Sequence, residues 1–173
     1  TNQELPSYAH AVGAIYRNAD PSDIVVTAAG GLVGEVVQIW KPKQKNTFET
    51  EWGFSCMGYE ISGALGIKMA KPDQDVIVFL GDGSYLLNNS DIYSSVIYEK
   101  KLIIVVCDNS GHMVINRLQL AKGGKEYLCN LKAARATNFV EVDFASHASS
   151  MGAESETVSS TSELESAFKR AKQ

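Results

Sequence analysis

Val76-Ile77-Val78-Phe79-Leu80-Gly81-Asp82-Gly83-Ser84 and Leu102-Ile103-Ile104-Val105-Val106-Cys107-Asp108-Asn109-Ser110-Gly111 decide the fold of this chain. Each is an apolar run rich in β-branched residues that ends in a polar turn containing glycine. Continuous apolar runs of this length suit strands buried on both faces of a parallel sheet. A helix over Asn88 to Lys100 would supply the right-handed crossover between them. Both polar turns then lie at the carboxyl edge of the sheet, where open α/β folds bind ligands.

The turns carry specific chemistry. Asp82 offers a carboxylate oxygen and Asn109 an amide oxygen, both hard ligands. Gly81 and Gly83 permit close backbone approach. Ser84 adds a hydroxyl, and the helix that follows presents free N–H groups to an anion. Hard oxygens beside a phosphate cradle suggest Mg²⁺ bridging protein and diphosphate. A Gly-Asp-Gly turn alone is more often an ordinary tight turn, so the reading depends on its neighbours.

Working outward, Ile24 to Ala28 reads as a further buried strand, followed by Ala29-Gly30-Gly31 and a helix from about Leu32 to Trp40. Beside the first site, the Gly30-Gly31 turn is a second contact for a diphosphate. Leu5 to Ala19 reads as a helix with Ala9, Val12, Ile15 and Tyr16 on one face. Thr47 to Trp52 reads as a short strand, 53–59 as a loop and Glu60 to Ala70 as a helix. Gly58, Ser62, Gly66 and Ala70 fall on one small-residue stripe, equally suited to a contact within the domain or between subunits. His112 to Leu120 reads as a short helix, Ala121 to Asn130 as a mobile loop, and Phe139 to Val142 as a short extended segment. Asp143 caps a helix through Ser150, Ala153 to Val158 alternates like a strand, and Ser162 with Glu165 forms a capping box for the last helix. The predicted fold class is α/β: a doubly wound, mostly parallel sheet with helices on both faces. Residues 1–173 form one domain. A start without Met and an end on a helix with no returning strand suggest a chain cut from something longer.

Composition narrows the partners. Of 173 residues, 45% are hydrophobic and 21% charged, the balance of an ordinary globular protein. A net charge of −4 with no Lys/Arg block argues against nucleic acid. The apolar stretches are of strand length, too short for a membrane helix. Cys56, Cys107 and Cys129 are odd in number and lack metal spacing, which fits free thiols in a reducing, cytoplasmic setting.

Gly81-Asp82-Gly83, 24 intervening positions and then Asp108-Asn109 resemble the signature of thiamine diphosphate (ThDP) enzymes. Asp108 stands where the family usually has a first Asn. The resemblance implies ThDP and Mg²⁺ as cofactors, with Asp82 and Asn109 as side-chain metal ligands and Gly111 adding its carbonyl. Ser55-Cys56-Met57-Gly58 falls where acetolactate synthase-like and decarboxylase-like members prop the cofactor on a bulky apolar residue. Met57 takes that part by resemblance, and the backbone of Ser55 and Met57 contacts the aminopyrimidine. Within the family, Gly53 to Ile61, Gly81 to Leu86, Ile115 to Gln119 and Val142 to Ala148 look most like the trihydroxycyclohexanedione hydrolases. These open a cyclic 1,2-diketone in myo-inositol breakdown. His112-Met113 departs from the aromatic and small residues expected there.

The resemblance further implies a partner, the pyrimidine-binding domain of the same or a neighbouring subunit, within a homo-oligomer. The activating glutamate belongs to that domain. Glu35, Glu49, Glu51 and Glu60 do not sit in its sequence context. No catalytic residue is therefore assigned, with His112 the best local candidate for substrate-side proton transfer. Other readings remain: an acetolactate synthase-like or 2-keto acid decarboxylase-like domain, or an inactive scaffold of the same fold. A nicotinamide-binding domain fails at its third glycine, where Leu86 stands, and no Gly-Lys-Ser/Thr of a P-loop occurs.

Overall fold

The computed structural model describes residues 6–133 and 140–173. Its centre is a parallel sheet in the order β2-β1-β3-β4, built from β1 (Ile24–Thr27), β2 (Phe48–Thr50), β3 (Val76–Gly81) and β4 (Ile103–Cys107). Val25 pairs with Ile77 across β1 and β3, and Val78 with Ile104 across β3 and β4. The helices are α1 (Tyr8–Asn18), α2 (Gly30–Ile39), α3 (Tyr59–Ala70), α4 (Asp82–Leu87), α5 (Ser90–Ile97), α6 (Met113–Ala121), α7 (Phe144–Ser150) and α8 (Thr161–Ala171).

β1 and β3 are buried along almost their whole length, so their alternating side chains feed two cores. Val25, Ile77 and Phe79 pack with Val12, Ile15, Leu32 and Val36 of α1 and α2, and with Phe168 of α8. Ile24, Val26, Val76, Val78 and Leu80 face the other way, onto Ile61 and Ala64 of α3, Tyr85 of α4 and Ile92 of α5. Helices on both faces of a parallel sheet are the expected doubly wound α/β fold. The chain runs from β1 outward to β2 and from β3 outward to β4. The strand order therefore reverses between β1 and β3, which opens a crevice at their carboxyl ends.

Several local expectations are corrected. The crossover is two short helices, not one helix over Asn88 to Lys100. Asn88 is extended (φ −152°, ψ 93°), and its amide donates to Gly58 O at 3.3 Å and Ser62 Oγ at 3.1 Å. The next residue, Asn89, donates to Tyr85 O at 3.0 Å. Asparagine side chains compete with the helix for backbone partners, and two in succession break it. The last helix starts two residues early. Ser160 is its N-cap, accepting from Glu163 N at 3.2 Å, while Glu163 reaches back to Ser159 N at 2.8 Å. Glu165, expected in the cap, pairs with Arg17 of α1 at 2.7 Å.

Ala153 to Val158 is irregular chain, because its alternation finds no strand to pair with among the described residues. Val140 to Val142 is likewise not a strand, and Phe139 lies outside the described residues. The loop after α6 is tied down at one end, with a bridge between Gly111 and Asn130 and a short 3-10 turn over Leu131–Ala133. Asp143 caps α7 as expected, its carboxylate accepting from Ser146 N at 2.9 Å. The small-residue stripe of α3 meets Asn88 at its first turn, whereas a Cβ at Gly66 would meet nothing within 4 Å. Among the described residues no helix is long and apolar enough to cross a membrane.

Candidate functional site

The crevice between β1 and β3 gathers most of the residues that the sequence singles out. β3 runs straight into α4, with Gly81 as the helix N-cap and Asp82 as its first residue. Asp82 is only 3% exposed. Its Oδ2 accepts the Gly111 amide at 2.7 Å, which ties the turn after β3 to the turn after β4. Burial pushes the Asp82 carboxyl up from the ordinary aspartate value, and the nearby Asp108 charge adds to this. The amides of Gly111, Gly83 and Asn109 pull the other way without cancelling it. A buried carboxylate left with only partial compensation is the group that a cation would satisfy.

Asn109 and Gly111 complete the expected ligand set. The Asn109 amide donates through Nδ2 to the Tyr8 hydroxyl, so its oxygen is the end left for a ligand. Gly111 has φ +147°, and a Cβ there would lie 2.2 Å from Cys129 O. Only glycine fits that position. Bonds run from His112 N to Cys129 O at 2.8 Å and from Leu131 N to Ser110 O at 2.9 Å, and neither uses the Gly111 carbonyl. Among the described residues no three His, Cys, Asp or Glu side chains converge as a metal cluster. The expected set is of another kind, one carboxylate, one amide and one carbonyl, hard oxygens that would suit Mg²⁺.

Met57, Gly83 and His112 meet above this turn. A Cβ at Gly83 would lie 2.7 Å from His112 Cε1 and 3.2 Å from Met57 Cε. The missing side chain is what lets the thioether and the imidazole close over the start of α4. Ser84 is buried in the same turn. Ser55 is held in a left-handed conformation (φ 52°), its hydroxyl donating to Ala28 O at 3.4 Å. The loop carrying Ser55 and Met57 thus leans on the end of β1.

Three residues that the sequence reading did not place at the site belong to it. Glu60 is fully buried, and its carboxylate accepts Ala29 N at 3.2 Å and Gly58 N at 2.8 Å. It fastens the 53–58 loop to the entrance of α2. Tyr8 reaches in from α1. Burial pushes its phenol up to about 12, so it stays protonated beside Asn109. Arg117, on α6, places Nη2 2.7 Å from the position of a Gly31 Cβ. Gly30, with φ +81°, has open space around it. Only the acid in the first turn of α3 carried a sequence signal, since Glu favours helix N-termini.

Other groups lie apart. Cys107 ends β4, and burial pushes its thiol up to about 12. His147 contacts the buried Tyr85 hydroxyl at 2.9 Å, and His10 caps α1 with Ser7. A cavity of about 400 Å³ beside α8, lined by Glu156, Ser162, Glu163 and Arg170, contains none of the site residues.

Residues 28–173 match the model of the family described as thiamine pyrophosphate enzyme, C-terminal TPP binding domain. Two similar relatives carry the name 3D-(3,5/4)-trihydroxycyclohexane-1,2-dione hydrolase. That of Halalkalibacterium halodurans is 40% identical over 91% of this chain and 25% of its own length. That of Lacticaseibacillus casei is 41% identical over 94% of this chain and 25% of its own. The chain therefore spans about a quarter of the length of these curated relatives. Among solved structures, the ThDP-dependent 4-hydroxybenzoylformate decarboxylase of Rhodococcus jostii superposes with a TM-score of 0.83. It is 17% identical, over 99% of this chain and 31% of that one. The benzoylformate decarboxylase of Polynucleobacter necessarius gives a TM-score of 0.79 at 20% identity, over 98% and 31%. These two likenesses establish the fold.

Proposed function

The chain belongs to the C-terminal, TPP-binding domains of thiamine pyrophosphate enzymes, and from that membership we propose that the crevice between β1 and β3 holds the diphosphate of ThDP with Mg²⁺. Asp82, Asn109 and the Gly111 carbonyl are the metal ligands. The turns Gly30-Gly31 and Gly81 to Ser84 face the diphosphate, and Ser55 and Met57 support the rest of the cofactor. The observation that carries this reading is the Asp82–Gly111 hydrogen bond at 2.7 Å. It sets a buried carboxylate and a carbonyl-bearing turn side by side, where one cation can be shared.

When bound, ThDP supplies a carbon nucleophile and an electron sink for breaking a C–C bond. The chain's own residues do the placing. Glu60 fixes the loop that presents Met57, and the contacts of Met57 and His112 at Gly83 shape the space above the metal turn. His112 is exposed and borders that space, so it is the local group we assign to proton transfer on the substrate side.

The whole protein, in this reading, is a ThDP-dependent hydrolase of a cyclic 1,2-diketone, a trihydroxycyclohexane-1,2-dione in myo-inositol breakdown. The identities of 40% and 41% to relatives so named favour it over a decarboxylase or an acetolactate synthase-like enzyme. Residues 1–173 form one domain of it, and a second, pyrimidine-binding domain supplies the activating glutamate. Trp52, Phe54, Leu86 and Leu87 are exposed around the same sheet edge and suit a covering domain in a homo-oligomer. Three separate thiols fit a cytoplasmic enzyme.

Two measurements test the proposal. Calorimetric titration with ThDP should give binding that depends on Mg²⁺. The 173-residue chain assayed alone on the dione should be silent, because loss of a general acid–base partner typically costs about 10²–10⁴-fold and loss of ring positioning costs more. Steady ThDP-dependent turnover by this chain alone would overturn the division of labour.

A further inference from the structure

Arg117 stands beside the end of a helix where a cation is least welcome. Its Nη2 lies 2.7 Å from the Cβ position of Gly31, the second residue of α2, with Val114 and Tyr8 closing around the same point at 3.9 and 4.0 Å. The first turn of a helix carries partial positive charge and unsatisfied N–H groups. Ala29, the N-cap of α2, offers no side-chain cap. Among the described residues Arg117 forms no ion pair, although Arg17, Lys101, Arg170 and Lys172 all do. Glu60 accepts two amides, one of them that of Ala29 at the start of α2, and Asp82 accepts that of Gly111. A guanidinium without an ion-pair partner thus stands against a helix start that has no side-chain cap of its own.

We propose that Arg117 binds the terminal phosphate of the cofactor's diphosphate, sharing it with the amides of Gly30 and Gly31 at the start of α2, while Asp82 and Asn109 act on it through the metal. The inference rests on the ThDP reading above. It gives the glycine at position 31 a purpose: any side chain there would occupy the place of the guanidinium. It also explains how a chain with no lysine in either phosphate turn neutralises a diphosphate. Arginine suits the task because its planar fork can make two charge-assisted hydrogen bonds to one phosphate. The terminal phosphate is the natural partner, since it carries more charge than the bridging one. Arg117 thereby sets the preference for a diphosphate over a monophosphate ester.

The test is calorimetric titration of the intact full-length protein, at fixed Mg²⁺, with ThDP and with thiamine monophosphate. Arg117→Ala should weaken ThDP by about 10- to 100-fold, the range for losing a charged hydrogen-bond partner, and thiamine monophosphate by much less. Arg117→Lys should restore part of the loss, and Arg117→Gln should behave like alanine. Because Arg117 is exposed, unliganded melting should be unchanged in all three. Undiminished ThDP binding by Arg117→Ala would overturn the inference, and so would equal losses for the two esters. A higher KM for the dione with unchanged ThDP affinity would overturn it as well, and would assign Arg117 to the substrate. If the unsubstituted protein failed to bind ThDP at all, the functional reading itself would fall, an outcome distinct from these.

Discussion

The Gly111 amide donates to Asp82 Oδ2 at 2.7 Å and so joins the turns after β3 and β4, 29 residues apart in the chain. Asp82 is buried, contrary to what a ligand at an open strand end would suggest. Replacing it with alanine removes an unfavourably buried charge but also strands the Gly111 amide. The second effect costs about 1–3 kcal/mol, and the first offsets part of it. Asp82→Ala should therefore fold, with a stability loss of about 1 kcal/mol, and lose Mg²⁺-dependent ThDP binding altogether. Denaturant melts and titrations with and without Mg²⁺ measure the two quantities. Metal-dependent binding that survives in the variant would remove Asp82 from the ligand set.

Gly111→Ala should be far more damaging than Gly30→Ala. At Gly111 a Cβ meets Cys129 O at 2.2 Å in a backbone conformation that disfavours side chains. Backbone strain of about 1–3 kcal/mol adds to the steric clash. At Gly30 the φ of +81° is the only obstacle, since nothing lies within 4 Å, so about 1–2 kcal/mol is expected. Chemical denaturation of both variants gives the ranking, and equal losses would mean that the bridge to Asn130 yields readily.

Met57→Ala should slow turnover of the full-length enzyme more than it weakens ThDP binding. Its methyl group packs near Gly83 and His112. Misplacement of a reacting group by about 1 Å can cost about 10²-fold in rate. Parallel losses in kcat and in ThDP affinity would make Met57 core packing and nothing more.

Tyr8→Phe deletes one hydroxyl, the acceptor of the Asn109 amide. One neutral hydrogen bond is worth about 0.5–1.5 kcal/mol, so Mg²⁺ affinity should fall by roughly 2- to 10-fold as Asn109 loses its fixed orientation. Mn²⁺ titration followed by electron paramagnetic resonance reads this directly. An unchanged metal affinity would mean that Asn109 is oriented by its backbone alone.

Lys172 bonds to Asp20 at 2.7 Å and to the buried Asp23 at 2.5 Å, linking the end of α8 to the turn before β1. Its hydrogen bond and charge hold Asp20 below the ordinary aspartate value. The corresponding stability is present above the unfolded aspartate pKa of about 4 and is lost as pH falls through the lower folded value. For Lys172 burial pulls downward, but the two aspartates outweigh it and raise its pKa. That contribution is present below about 10.4 and is lost as pH rises through the raised value. Lys172→Met should cost about 1–3 kcal/mol at neutral pH, because Asp23 stays buried without its cation. Melting curves across pH should show the variant losing less than the parent at both extremes, and parallel curves would rule the cluster out as a pH-dependent element.

The sequence by itself determined the sheet and its functional edge. Strands buried on both faces must be apolar along their length, so Val76 to Leu80 and Ile103 to Val106 were legible without partners. The turns that follow them were legible through their glycines and hard oxygens. The cap at Asp143 was equally plain, because a cap is satisfied within four residues. Only the tertiary structure decided what depends on distant neighbours. Asn88 breaks the crossover because Gly58 and Ser62 await its amide, and the stretch from 153 to 158 is no strand because a strand is defined by its partner. Tyr8 is 101 residues from Asn109, and Arg117 is far along the chain from Gly31, yet each pair meets at the strand ends. Local periodicity records which face of an element is buried. It holds no record of which side chain from another element will arrive there, since packing fixes that only when the whole domain closes.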